Sequence, residues 1–453
     1  MNTFFSLKAL FGNLLGVRNL LACAFVCGVA STQAFGLEFG TMGNVSAGMG
    51  GAGVAVKNSP FALYYNPALL SAETKRVRFG YSLGLEVREK NLDKIVDINL
   101  AGLNSSNLTS TTGADFKSIQ HNLETLKSAL SQNAFNLISQ NGVTFQFAPA
   151  LLRGSIGTFG VGYFASFYGG SSIKADTNRM ELILKYSNGG QEAYCKVDFN
   201  GGCTPSDKAT YDSSSLQNSL EQGDAHSIVA QGFLLNEIPI GYAYTFYTKY
   251  VNINLGVSGR LISASLNKQT TFLSSTTNLG NEAKNFANKG NFETKANFAI
   301  DAGAMLEIDL PDFRYLTFGF VAKNINSPKF TYSNGGEVQI KPQFRLGAAY
   351  NQKNLVLAID ADLNQNEMIS HSNQKPFSQM VGGGIKIDLR AFDIRAGLMK
   401  DIRQDDGIII TTGVNILGFL DVALQCGTEL AQTQRWGSFP RYLSLKVGGN
   451  FSF

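Results

Sequence analysis

The chain has 453 residues, a formal charge of +4, and only 16% charged side chains, against about 25% in soluble globular proteins. So slight a positive balance makes no case for nucleic acid. Three scattered histidines, His121, His226 and His371, lack ligand spacing and give a metal no support.

Lys8 and Arg18 precede an apolar run, Leu20 to Ala30, and Thr32-Gln33-Ala34 follows it as a small-x-small cleavage site. Residues 1–34 therefore read as an export signal, with the mature chain starting at Phe35. The run is too short to span a bilayer, and no later stretch supplies the roughly 18 apolar residues that a membrane helix needs. Cys23, after Leu-Leu-Ala, would suit lipoprotein processing, but modification there would leave most of the apolar run on the mature side.

Gly48-Met49-Gly50-Gly51-Ala52-Gly53 spells the dinucleotide fingerprint. That motif works only between a buried strand and a helix. Here a Gly-rich segment precedes it and Asn58-Ser59-Pro60 stops any helix within two turns, so no nucleotide and no cofactor is expected. Seven glycines between 36 and 53 instead allow tight backbone packing. Pro67 fixes a turn after Asn66, whose side chain can bond nearby backbone.

From Lys75 onward the sequence alternates residue by residue in segments of the length of tilted transmembrane strands. Ala296, Phe298, Ile300, Ala302, Ala304, Leu306 and Ile308 share one face, while Lys295, Asn297, Asp301, Gly303 and Glu307 share the other. Fourteen strands are predicted, near 75–89, 141–153, 157–169, 226–247, 250–266, 293–308, 314–325, 341–350, 354–363, 378–388, 391–399, 408–417, 419–428 and 440–453. Their connections alternate long and short, as in an outer-membrane barrel. The predicted fold is thus all-β: a transmembrane antiparallel barrel over 75–453, with residues 35–74 as a plug in its lumen. A flexible tether left by the signal is the alternative for that segment. The last strand ends in Phe453, the form read by the outer-membrane assembly machinery. Cys426 shares a face with Val422 and Leu424 and should meet lipid, and Trp436 with the Tyr and Phe residues near strand ends fits interfacial girdles.

Three long loops are expected, 91–140, 170–225 and 267–292. In the first, Phe116, Ile119, Leu123, Leu126 and Leu130 recur at helical spacing; they could form an apolar groove at the mouth or merely pack on other loops. In the second, Cys195 and Cys203 are close enough in a polar segment to pair in an oxidising compartment. Inside, Arg345 should face Asp360 if residues 351–354 form a four-residue turn, and Lys386, Asp388, Asp393 and Arg395 make a second inward cluster. Such charges are either structural pairs or a substrate path. No nucleophile–base set stands out, so no catalytic residue is named.

The string Gly48 to Val56, a short spacer, then Ala62-Leu63-Tyr64-Tyr65-Asn66-Pro67-Ala68-Leu69 resembles the N-terminal plug of the FadL family of outer-membrane transporters for long-chain fatty acids and other hydrophobic compounds. That resemblance implies a bacterial outer-membrane location, membrane lipids and a hydrophobic small molecule as partners, a plugged lumen, and sideways exit through a kinked strand. Within the plug, Asn66-Pro67-Ala68 is expected to brace it against an early strand. The brace is expected on the Gly-rich strand holding Gly157, Gly160 and Gly162. The stretch from Leu37 to Ala68 also looks like a divergent conjugal-transfer, TraF-like branch, which implies a scaffold barrel in a transfer or envelope apparatus. A barrel lipase or protease would need a Ser or Asp–His site that the sequence does not display.

Overall fold

The alternating runs form one closed antiparallel barrel in a computed structural model of the chain. The described residues are 37–72, 76–89, 117, 121, 124, 133–148, 157–188, 190–197, 203–274, 292–333, 337–368, 377–389, 392–433 and 437–452. The fourteen wall strands are β1 Val77–Glu89, β2 Asn133–Phe147, β3 Thr158–Lys174, β4 Ser227–Tyr247, β5 Val251–Phe272, β6 Glu293–Leu310, β7 Arg314–Lys323, β8 Gln343–Gln352, β9 Leu355–Asp362, β10 Met380–Asp388, β11 Phe392–Asp401, β12 Ile409–Ile416, β13 Leu420–Gly427 and β14 Tyr442–Ser452. Each pairs with its neighbours in sequence, and β1 closes on β14 with Arg78 opposite Ser452.

Alternation sets which side chains meet lipid. In β12 the residues Ile410, Thr412, Val414 and Ile416 face out, while Thr411, Gly413 and Asn415 are buried. Leu83, Leu85, Ile240, Val257, Leu261, Ile359 and Leu398 continue the same outer belt. So many exposed aliphatic side chains are stable only against hydrocarbon. Cys426 lies on this outward face.

The fourteen expected strands are present, most with bounds within two residues. The wall is taller than expected on one side: β2 begins at Asn133, β3 runs to Lys174 and β5 to Phe272, so the three long loops are shorter than 91–140, 170–225 and 267–292. β4 and β5 hold 21 and 22 residues, or roughly 70 Å of strand at about 3.3 Å per residue, and rise well beyond the apolar belt. Phe453, Trp436 and residues 1–34 lie outside the described residues.

The β3–β4 connection folds as a small lobe. Three short strands, 183–188, 191–197 and 203–206, pair side by side, followed by α1 Lys208–Ser214 and α2 Leu216–Gln222. Asp207 caps α1 by accepting from the Thr210 amide at 2.7 Å, and Ser215 caps α2 through the Asn218 amide. Leu184, Val197, Leu216 and Leu220 form its core, and a disulfide joins Cys195 to Cys203. His226 ties the lobe to the wall: its Nδ1 accepts from the Asp176 amide at 3.2 Å, and Nε2 lies 3.1 Å from the Arg179 carbonyl, to which it donates. The first bond requires an unprotonated Nδ1, so it is lost when the ring takes up a proton. Burial holds its pKa below the ordinary 6.5, against the opposing pull of the Arg179 carbonyl bond and of Asp176 and Asp224, while the Arg179 charge acts with burial. A depressed base contributes stability above its unfolded pKa and loses it as pH falls. Lobe protection against proteolysis should therefore drop on acidification from pH 7 to 5 in the wild type and be flat with pH in His226→Gln; a pH-independent wild-type lobe would refute this role.

Candidate functional site: plug and lumen

Residues 37–72 fold inside the barrel, nearly all of them buried. The plug holds two single turns of helix, 44–48 and 62–65, and a 3-10 turn, 67–70. Among the described residues no strand precedes the glycine string. Gly50, at φ +66, sits where a Cβ would strike the backbone of Gly383 and Leu398, so the string serves close approach to the wall. Thr411 Oγ1 accepts from the Gly50 amide at 2.9 Å and donates to the Gly48 carbonyl at 3.2 Å.

Asn66 is a three-way anchor. Its Oδ1 accepts from the Ala68 amide at 3.0 Å and caps the Pro67–Leu70 turn, while Nδ2 donates to the Val54 carbonyl at 3.0 Å and to the Ala304 carbonyl of β6 at 3.1 Å. Pro67 and Ala68 lie on Gly256 of β5, and Asn66 on Gly303 of β6. The motif therefore bears on β5 and β6, not on the Gly-rich strand β3. Leu63 and Leu70, on the other side of these turns, are what meets Gly160 and Gly241.

The lumen charges are paired differently from expectation. Lys353 and Asn354 alone make the β8–β9 turn, Gln352 standing opposite Leu355, so Arg345 faces Asp362 and not Asp360. Arg345 Nε donates to Asp362 Oδ1 at 2.6 Å, its Nη2 to the Phe39 carbonyl at 3.1 Å, and its guanidinium lies 3.8 Å from the Phe39 ring centroid. Asp360 instead holds the plug: one carboxylate oxygen accepts from the successive amides of Gly53 and Val54 at 2.7 and 2.9 Å. In the second cluster, Arg395 is bidentate to Asp421 at 2.7 and 3.1 Å and reaches Asp393 at 2.5 Å. Lys386 lies 3.8 Å from Asp393, and Asp388 is exposed at the hairpin end.

Several functional groups escape a reading of the sequence. Arg88 gathers Glu38 of the plug at 3.0 Å, Glu86 at 2.9 Å, Asp401 at 3.5 Å and Asp406 at 3.7 Å. Arg260 joins Glu237 to Asp301, and the Lys323 ammonium lies 3.7 Å from the Tyr64 ring centroid. Above the plug, Ile138, Tyr168, Phe233, Leu235, Ile262, Ala264 and Leu266 point inward and form one apolar chamber. It is filled by Leu37 at the head of the plug and by Phe330, Tyr332, Val338 and Ile340 from the β7–β8 connection, which pairs 329–331 with 337–339. Three consecutive apolar residues, Phe233-Leu234-Leu235, are the sequence signal for it: Leu234 belongs to the outer face, so Phe233 and Leu235 make the lumen face apolar as well, where barrel strands are ordinarily polar. Phe116, Ile119, Leu123 and Leu126 lie outside the described residues; Lys117, His121 and Glu124, between them, are helical.

Residues 63–362 match the family model described as "F plasmid transfer operon, TraF, protein". Among curated proteins no relative matches the chain. Among solved structures, the toluene transporter TbuX of Ralstonia pickettii is similar at 15% identity and a TM-score of 0.45, over 91% of this chain and 98% of that one. The Pseudomonas putida toluene transporter TodX is similar at 14% identity and 0.44, over 92% and 98%. A Pseudomonas aeruginosa FadL homologue follows at 11% and 0.43, over 93% and 100%. Likenesses at this level say nothing about what the chain binds.

Proposed function

The chain belongs to the family of the F plasmid transfer operon TraF protein, and we propose that it is an outer-membrane barrel that passes long-chain fatty acids or other hydrophobic small molecules around a movable plug. The observation that carries this is the apolar chamber. Barrel lumens are ordinarily polar, yet on its outer side this one holds an apolar patch that, among the described residues, is filled by two segments of the same chain. Exchange of those segments for an apolar ligand costs little desolvation. From the chamber an aromatic path of Phe39, Tyr64, Phe61 and Phe164 leads to the β3–β4 seam. There Val161 faces Ile240, and pairing resumes only at Phe164 and Glu237. Pro239 sits in that interval and has no N–H to donate, so the ladder is interrupted there, and this break is the sideways exit.

The test is mass spectrometry of lipids co-purifying with the detergent-extracted barrel, together with uptake of labelled oleate by cells. An apolar ligand at about one per barrel is expected, and Asn66→Ala should cut uptake severalfold without admitting small polar solutes, since it removes the hydrogen bond to Ala304 of β6 but leaves the plug in the lumen. Unchanged uptake in that variant removes Asn66 from the pathway. A second reading, a scaffold barrel in a transfer apparatus, is favoured by the family match; it predicts stoichiometric partner proteins and no ligand in the same extract.

A further inference from the structure

At the end carrying the short turns, the lumen opens into a basin of about 910 Å³, inside the roughly 300–1,000 Å³ range of ligand sites. The passage route above does not use it. Its floor is the plug segment Val56 to Asn58, and its wall is built from the ends of β7 to β14 and of β1. Four basic side chains, Lys57, Arg78, Lys353 and Lys386, face two acidic ones, Asp388 and Asp393. Glu307 takes Lys57, and Asp393 is held by Arg395 at 2.5 Å. Lys386, at 3.8 Å from Asp393, is thus loosely compensated.

Beside it stands Asn351, only 3% exposed, whose Nδ2 has no acceptor. Asn351 faces Val356, and Val356 faces Lys386, so the two are one strand apart at the same height. Two strand spacings of about 4.8 Å each separate their backbones across β9, a gap that the long lysine arm can close toward a small group bound at the amide. A buried donor without an acceptor is rare in folded proteins, and here it adjoins an under-compensated ammonium. The rim is apolar and held at a conformational cost. Phe313 and Leu417 occupy turn tips at φ +58 and +52, and Phe313 is 93% exposed; bulky side chains seldom adopt this left-handed region.

We propose that the basin binds an amphiphile with an anionic oxygen head, a carboxylate or a phosphate, seated on Asn351 Nδ2 and Lys386 Nζ with its tail against Phe313, Leu417 and Phe419. The site needs no passage through the lumen, so a failed uptake experiment leaves it standing. Equilibrium dialysis of the full barrel in lipid nanodiscs, with empty discs subtracted, tests it with labelled octanoate, octyl phosphate and octanol. At least one anion should saturate at one per barrel, with octanol binding at least tenfold more weakly. Asn351→Leu or Lys386→Met should weaken the anion about tenfold, and Lys353→Glu, on the exposed β8–β9 turn, severalfold. Preference for octanoate assigns a carboxylate ligand; preference for octyl phosphate assigns a phosphate head; equal binding assigns charge as the determinant. Absence of saturable anion binding, octanol binding as tightly as the anions, or affinity unchanged in all three variants overturns the site.

Discussion

Deletion of residues 36–70 is expected to turn a sealed barrel into an ion-conducting one. The wall strands pair only with each other, so insertion does not need the plug, but the space inside does. Gly256, Gly303, Gly382 and Gly384 each leave room that plug backbone or side chains now fill, and without the plug those gaps face an open lumen. The anchors would remain as charges lining water. Among the described residues the buried wall carboxylates are Glu86, Glu89, Glu237, Asp301, Asp360, Asp362, Asp393, Asp401 and Asp421, nine in all, with Asp406 buried beside them on the β11–β12 connection. The buried wall cations are Arg78, Arg88, Arg260, Lys323, Arg345, Arg395 and Lys446, seven in all. The open pore should therefore select cations over anions. Planar-bilayer recordings of the truncated protein, with retarded migration on unboiled gels as the check of folding, decide it. A truncated barrel as tight as the full one would show that the segment does not seal the lumen; an anion-selective pore would show that the wall charges are not what ions meet.

The strands were legible because a lipid-facing wall leaves little freedom. Every second residue must be apolar on the outside, and short turns must alternate with long connections, so periodicity alone locates Ile410, Val414 and their neighbours. What period two cannot supply is register. Asp360 and Asp362 both point inward, and a turn two residues shorter than expected moves Arg345 from one to the other. Asp421 was missed for a related reason, since it meets Arg395 only across the intervening strand β12. The brace at Asn66 was legible as a turn but not as a contact: which wall strand a plug leans on depends on how the plug winds, and nothing local records it. The apolar chamber shows the opposite failure. Its signal, the Phe233-Leu234-Leu235 run, is in the sequence, but it reads as an ordinary strand until the fold puts Phe330 and Ile340 beside it.

Asp421→Ala is expected to be the most damaging single substitution in the wall. The Arg395 side chain is 0% exposed and holds Asp421 through two hydrogen bonds, with Asp393 as its remaining partner. Burying a guanidinium is tolerable only while carboxylates surround it; breaking a buried pair by removing one partner costs about 3–5 kcal/mol, whereas replacing both by apolar groups is often near neutral. Asp393 offsets part of this, so a loss of about 3 kcal/mol is expected for the single variant. Arg395→Met combined with Asp421→Leu should recover at least half of it. The same site carries the plug: Asn44 donates to the Asp421 carbonyl, and Gly48 packs on the Arg395 side chain and Gly413. A tilt of Arg395 toward water would lift the 44–48 turn from β12 and β13, so the single variant should also leak small ions in bilayers while the double variant stays tight. Urea unfolding in detergent, followed by near-ultraviolet circular dichroism, measures the first effect. A double variant no more stable than Asp421→Ala would mean that packing, not an uncompensated charge, sets the loss; a tight but destabilised single variant would separate this ion cluster from the seating of the plug.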